Sequence, residues 1–502
     1  MSVTAPAAME GQAVEQPAPV PWGPLTLITA VVAVVVGLTN GKYGYFGDEI
    51  YFVSAGRHLD WGYADQPPLA PLLAHIMDGL APQSVWWVRF PALLLELAGI
   101  WLAALTAREM GGGRQAQWVT GGAYALTAIG GAHLLSTNTL DIPLWTGITL
   151  FLVRWMRTRR DANLFWAGVL TALSLQMKWL IPGFWLMLGI SVLIFGPRDM
   201  LRRPALYLGA LVAILAWIPG LLWQARHDWP QIAMGQQISI EQDYIGGQLT
   251  FVPLLLLMSG LVSGVVLFVY GLTRLLASDL VREYRFLGWT FVLLTVFVLL
   301  VNGRPYYVMG LLPVCWAAGA IHLERGFGHR SWRWSAGRYA MVGSLVMSCV
   351  FIPPWKSAEE FKAQPSNVFD ALTLGEFGWP QVTDKVGGVY NGLPPEVRQD
   401  TAIIGGSYWM ASALDVYGEA HGLPRPYSPS RGYWYFGVPP ESAKNVLYIG
   451  DVKPGLRSAF TTATDRGELG VNPSVFEHDH IWLYQNRTES WSELWPQLKT
   501  LG

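Results

Sequence analysis

Apolar residues in this chain gather into runs that are long enough, or nearly long enough, to span a bilayer, which takes about 20 residues as a helix. They fall near 24–40, 87–107, 117–135, 138–153, 163–177, 180–196, 205–223, 251–273, 287–301, 307–322 and 339–353, with more polar segments between them, the longest at 41–86. The pattern predicts an α-helical polytopic membrane protein with about eleven transmembrane helices. The runs at 138–153, 163–177 and 287–301 are the shortest. After about residue 355 the long runs stop and charge rises. Short β-like runs follow, Thr401-Ala402-Ile403-Ile404, Val446-Leu447-Tyr448-Ile449 and Ile481-Trp482-Leu483-Tyr484, punctuated by Gly and Pro.

Charge in the connecting loops orients this pattern. One set of loops holds Arg108 and Arg114, then Arg154, Arg157, Arg159 and Arg160, then Arg198, Arg202 and Arg203, then Arg274, Arg282 and Arg285, then Arg325, Arg330, Arg333 and Arg338. The alternate loops hold little beyond Lys42, Arg57, Lys178, Arg226 and Arg304. Cytoplasmic loops carry the excess of Lys and Arg, so the N-terminus is read as cytoplasmic. The loop at 41–86 and the C-terminal part are then read as extracytoplasmic, in a multi-pass protein of the plasma (inner) membrane. Three parts follow. Residues 1–22, rich in Ala, Pro and Gln and without Lys or Arg, form a disordered cytoplasmic tail. Residues 23–354 form the transmembrane domain, and 355–502 a small extracytoplasmic α/β domain. The first apolar run lacks a positively charged leader segment and reads as an uncleaved anchor.

Composition agrees. Of 502 residues, 52% are hydrophobic and only 14% charged, against about 25% charged in soluble domains. A net charge of −1 argues against nucleic-acid binding. The 25 tryptophans suit bilayer interfaces. The two cysteines, Cys315 and Cys349, lie in apolar runs and suggest no disulfide framework.

The topology collects scattered polar residues on one membrane face. Asp48, Glu49 and Asp65 lie in the first outer loop, with Arg57, His58 and Gln66 near them. Asp141 opens the fourth helix, Lys178 sits in the turn between the fifth and sixth, and Arg304, Tyr306 and Tyr307 share another outer turn. Plainer readings stand beside each. Asp48 and Glu49 could cap the helix that starts at Ile50, and Asp141 could cap helix four, with Pro143 in its first turn. Lys178 could snorkel, Arg304 could be a lone outside charge, and the tyrosines could belong to an aromatic belt. Arg57 and His58 could decorate an interfacial helix. Taken together, the residues suit one reaction type. A carboxylate can take a proton from a hydroxyl or amine nucleophile, while basic groups and tyrosines hold an anionic leaving group such as a lipid phosphate. That inventory fits transfer of a sugar from a lipid-linked phosphosugar to an extracytoplasmic acceptor. No Walker A motif occurs.

The segments Tyr45-Phe46-Gly47-Asp48-Glu49-Ile50-Tyr51 and Gly56-Arg57-His58-Leu59-Asp60-Trp61-Gly62-Tyr63-Ala64-Asp65-Gln66-Pro67-Pro68-Leu69 carry a resemblance. Asp141-Ile142-Pro143-Leu144, Lys178 and Arg304-Pro305-Tyr306-Tyr307 continue it in order. The chain resembles the dolichyl-phosphate-mannose–protein mannosyltransferase-like glycosyltransferases (family 39, GT-C fold) and the bacterial aminoarabinose transferases acting on lipid A. The resemblance implies helices around an outward cavity and a first loop lying along the membrane. It implies Asp48 as catalytic base, Glu49 orienting the acceptor or supporting Asp48, and Asp141 shaping the acceptor site. Lys178, Arg304, Tyr306, Tyr307 and Gln66 would bind the donor phosphate and lipid, with Asp65, Arg57 and His58 supporting the acceptor or the loop. The chain departs from the aminoarabinose transferases at Gln66, where they place a phosphate-contacting lysine.

The expected partners are therefore a polyprenyl-phosphate sugar donor, membrane lipids and a lipid, glycan or protein acceptor. No cofactor is expected. A divalent metal is compatible with a GT-C enzyme, but no spacing of His or carboxylates supports one. The rival reading is a transporter or flippase of a lipid-linked saccharide. It would favour two related halves with broken helices, a symmetry that the sequence does not display.

Overall fold

The computed structural model describes residues 16–328, 330–362 and 373–502. The tail read at 1–22 therefore lies outside the described residues up to residue 15. Every predicted apolar run falls on helix. These helices are α1 (Trp22–Thr39), α4 (Val85–Glu109), α5 (Arg114–Gly131), α6 (Thr137–Thr158), α7 (Ala162–Leu175), α8 (Ile181–Phe195), α9 (Pro204–Arg226), α13 (Arg285–Leu300), α14 (Leu312–Glu324) and α15 (Arg338–Phe351), with a bent pair in place of the run at 251–273. Two short helices, α2 (Gly47–Gly56) and α3 (Leu69–Leu80), occupy the loop after α1, and α10 (Pro230–Tyr244) follows α9.

Among the described residues five helices are long and apolar enough to cross a membrane, and a sixth span arises if the bent pair is counted as one. The chain is a multi-pass membrane protein. The physical mark is apolar side chains on both faces of a helix. In α1, Leu25, Ile28, Val32 and Val36 are buried, while Leu27, Val34 and Leu38 are exposed on the other side. The run read at 251–273 is not one straight helix. It is split into α11 (Gly247–Met258) and α12 (Leu261–Ala277), bent by 109°. The break sits where Gly260 takes φ +97°, a conformation that only glycine adopts freely.

The two ends of the bundle differ in character. At one end, Glu109 of α4 binds Arg154 and Arg157 of α6, and Glu324 of α14 accepts from the backbone N–H of Gly113, Gln115 and Ala116 at the start of α5. At the other end lie α2, α3, α10 and the C-terminal part. There a four-stranded sheet runs β1 (Thr401–Gly405), β2 (Asn445–Ile449), β4 (His480–Arg487), β3 (Phe460–Glu468). β1 and β2 pair parallel, and β4 pairs antiparallel with both β2 and β3. Three of the strands are the predicted β-like runs. β3, Phe-Thr-Thr-Ala-Thr-Asp-Arg-Gly-Glu, is an edge strand and mostly exposed, so it lacks the apolar alternation that marks a buried strand.

Candidate active site

α2 places the first acids. Glu49, at the third helical position, accepts from the Phe46 backbone N–H at 2.9 Å, closing the N-terminus as a capping box does. Its carboxylate also meets Arg89 of α4, through Nε and Nη2 at 2.8–3.1 Å, and the Leu135 N–H at 2.7 Å. Arg89 is fully buried and donates further to the carbonyls of Asn40 and Gly44 and to Glu376 Oε2 at 3.0 Å. Glu49 is thus a fully buried strut. The expectation that it touches an acceptor is corrected, because both of its oxygens are taken by Arg89 and backbone amides.

Asp48 is turned the other way, toward the C-terminal part. Its Oδ1 accepts from the Tyr408 hydroxyl at 2.7 Å and the Trp409 indole N–H at 2.9 Å. Both donors stand at the start of helix Tyr408–Tyr417, capped by Ser407. Gly47 makes this possible, since a Cβ there would overlap the Trp409 ring. Tyr408 also accepts from Arg431 Nη1 at 2.9 Å, and the Arg431 guanidinium lies 4.5 Å over the Tyr408 ring. Arg431 reaches on to Glu241 of α10, whose second oxygen accepts from Arg304 at 2.6 Å. A continuous line of contacts therefore runs Asp48–Tyr408–Arg431–Glu241–Arg304.

Beside this line, the Tyr51 hydroxyl donates to Asp65 at 3.0 Å. Burial pushes the Asp65 carboxyl up to about 6, with the Arg431 charge opposing. Lys178 donates to Asn138 Oδ1 at 2.5 Å and stands 4.5 Å over the Tyr307 ring and 5.3 Å over that of Tyr306. Burial pushes the Lys178 ammonium down to about 7, with Asp141 opposing. Asp141 does not cap its helix: Ser136 does, in a capping box with Thr139. Asp141 lies one turn further in, buried, and accepts from Ser174 Oγ at 2.5 Å.

Three expected residues stand apart. Arg57 donates to the Asp415 carbonyl at 2.6 Å, and the His58 ring packs on Phe436 at 4.7 Å. Both tie the end of α2 to the C-terminal part. Gln66, expected at the phosphate, shares no hydrogen bond with the basic groups. Its carbonyl accepts from Tyr63 N–H, and its Nε2 is buried without a hydrogen-bond partner among the described residues. Residues that the sequence reading missed are Arg89, Asn138, Glu241, Tyr408, Trp409 and Arg431. Among the described residues no three His, Cys, Asp or Glu side chains gather as a metal would need.

A family model described as dolichyl-phosphate-mannose-protein mannosyltransferase matches residues 65–223, from the middle of the first loop through most of α9. The apo structure of ArnT from Cupriavidus metallidurans superposes with a TM-score of 0.61 at 15% identity, over 96% of this chain and 99% of that one. The fold is that of the GT-C glycosyltransferases. ArnT from the same organism bound to undecaprenyl phosphate gives 0.58 at 16% identity, over 92% and 98% of the two chains. The mycobacterial arabinofuranosyltransferase AftD gives 0.50 at 12%, covering 94% of this chain and 40% of that one. A search of curated proteins by sequence found no match. The resemblance read from the first-loop motif is thus met by the family match and the GT-C fold.

Proposed function

We propose that this GT-C protein is an integral-membrane glycosyltransferase that moves a sugar from a polyprenyl-phosphate donor to an extracytoplasmic acceptor. The observation that carries the proposal is the side-by-side placement of a carboxylate, Asp48, and a group of cations, Lys178, Arg304 and Arg431, at one end of the bundle. In the proposed step, Asp48 takes the proton of the acceptor's hydroxyl or amine as that atom bonds to the anomeric carbon. The bond from the anomeric carbon to the phosphate oxygen breaks, and its electron pair leaves on polyprenyl phosphate. The cations stabilise the charge that gathers there. The ArnT structure with undecaprenyl phosphate supports the donor class. The Arg-rich loops at the opposite end support an extracytoplasmic site in the plasma (inner) membrane. Residues 355–502 then form an extracytoplasmic domain that supplies Tyr408, Trp409 and Arg431 to the reaction. The test is to incubate the purified protein with synthetic polyprenyl-phosphate sugars and follow release of polyprenyl phosphate. Asp48-dependent release supports the transferase; translocation without cleavage would support the flippase instead.

Lys178 gives the donor site a pH dependence. Its ammonium is charged below about 7 and neutral above it, so attraction for the phosphate is present at low pH and fades as pH rises. Affinity for a polyprenyl-phosphate sugar, whose phosphodiester keeps its charge throughout, is expected to fall between pH 6 and 8.5. The fall should be roughly tenfold, the size of one hydrogen bond to a charged group. Binding measured for Lys178→Met should be weak and flat with pH. A wild-type profile equally flat would remove Lys178 from the phosphate site.

A further inference from the structure

The Glu241 carboxylate bridges two arginines from distant parts of the chain. Arg304 stands at the start of the Pro305–Leu311 turn and Arg431 at the start of the Arg431–Phe436 turn. One oxygen takes Arg304 at 2.6 Å and the other takes Arg431. Gln237, one turn back on α10, reaches Oε1 at 3.4 Å. Two guanidinium groups converging on the two oxygens of one anion is the arrangement that binds phosphate as readily as carboxylate. We infer that Glu241 is an internal stand-in for the donor phosphate: Arg304 and Arg431 release it when the phosphate of the lipid-linked substrate arrives. This deepens the proposed function and rests on it. It makes Arg431, from the C-terminal part, a direct phosphate ligand.

Placement and charge favour exchange over a permanent strut. A strut such as Glu49 is fully buried, whereas the Glu241 side chain is 22% exposed and has water to retreat to. Its helix is lightly held. In α10 only Pro230, Met234 and Gln242 are buried, and positive-φ residues stand at both ends, Asp228 and Trp229 before it and Gly246 and Gly247 after it. The Arg431–Tyr408–Asp48 hydrogen bonds also link this anion position to the proposed base through a single hydroxyl. A site that holds its own anion binds an outside one less tightly, in proportion to the fraction of molecules in which it is open. The same competition speeds departure of the product phosphate.

The two roles predict opposite signs. With purified protein in nanodiscs, binding of polyprenyl phosphate is compared with binding of the uncharged polyprenol. For Glu241→Gln the dissociation constant for polyprenyl phosphate is expected to drop by about tenfold, with polyprenol unchanged. If Glu241→Gln binds polyprenyl phosphate more weakly than wild type, or equally, Glu241 is a scaffold and the inference fails while the transferase reading stands. If the wild type does not distinguish polyprenyl phosphate from polyprenol, both fail. A second measurement needs no variant. On addition of polyprenyl phosphate to wild type, amide exchange in α10 is expected to rise as its tie is released; protection of α10 would overturn the inference.

Discussion

Replacing Asp48 by Asn is expected to reduce sugar transfer to below about a hundredth of wild type, since a positioned general base contributes roughly 10²–10⁴-fold. The substitution is informative because it disturbs little else. Asn keeps an Oδ1 that can accept from Tyr408 and Trp409, the two bonds that fix Asp48. It removes only the charge and the ability to take a proton. The protein should therefore insert, purify and bind polyprenyl phosphate as wild type does, with the loss confined to turnover of a bound donor. Near-normal turnover in Asp48→Asn would eliminate Asp48 as the base. Lost binding together with lost turnover would instead point to a structural role.

Tyr408 refines this expectation. Its hydroxyl holds Asp48 and is held by Arg431, so the base and the anion site share one hydrogen-bonded group. Phe at this position would break both links while leaving the ring under Arg431. A partial loss of turnover, smaller than that of Asp48→Asn, is the reading consistent with a positioning residue.

How much of this was legible in the sequence follows from the range of the forces involved. Apolar runs are local, so the places of the helices were readable. The exception was the bend at Gly260, which depends on one backbone conformation. The first-loop motif was legible as chemistry, but Asp48 and Glu49 are neighbours in sequence with different fates. A helix turns about 100° per residue, so one acid points to the bundle interior and Arg89, the other to the C-terminal part. Arg89 itself left a signal, an arginine inside the apolar run at 87–107, where a charge is costly unless paired. Tyr408, Arg431 and Glu241 left none. They lie 360, 383 and 193 positions beyond Asp48 in ordinary-looking surroundings, and only the packing of the C-terminal part and α10 against the first loop brings them together.

The largest structural effect is expected at Arg89. Its guanidinium is fully buried between Glu49 and Glu376 and also donates to the carbonyls that end α1 and begin the first loop. Arg89→Met fills much of the same volume but leaves two carboxylates without their counter-charge. Breaking a buried pair by removing one partner costs roughly 3–5 kcal/mol, a large share of what holds a fold together. Thermal unfolding of the purified protein should show a pronounced loss of stability, and transfer activity should fall with it, because α2 carries Asp48. Charge, not shape, is the stated cause, so the triple variant Arg89→Met, Glu49→Gln, Glu376→Gln should recover much of that stability. Removing every member of a buried ionic group is far cheaper than removing one. The Phe46 and Leu135 amides bind different oxygens of Glu49 and glutamine keeps one of them, so the recovered protein should regain part of the α2 anchoring and with it part of the turnover. A triple variant no more stable than Arg89→Met alone would show that the guanidinium's bonds to the backbone carbonyls, and not the ion pairs, fix the first loop in place.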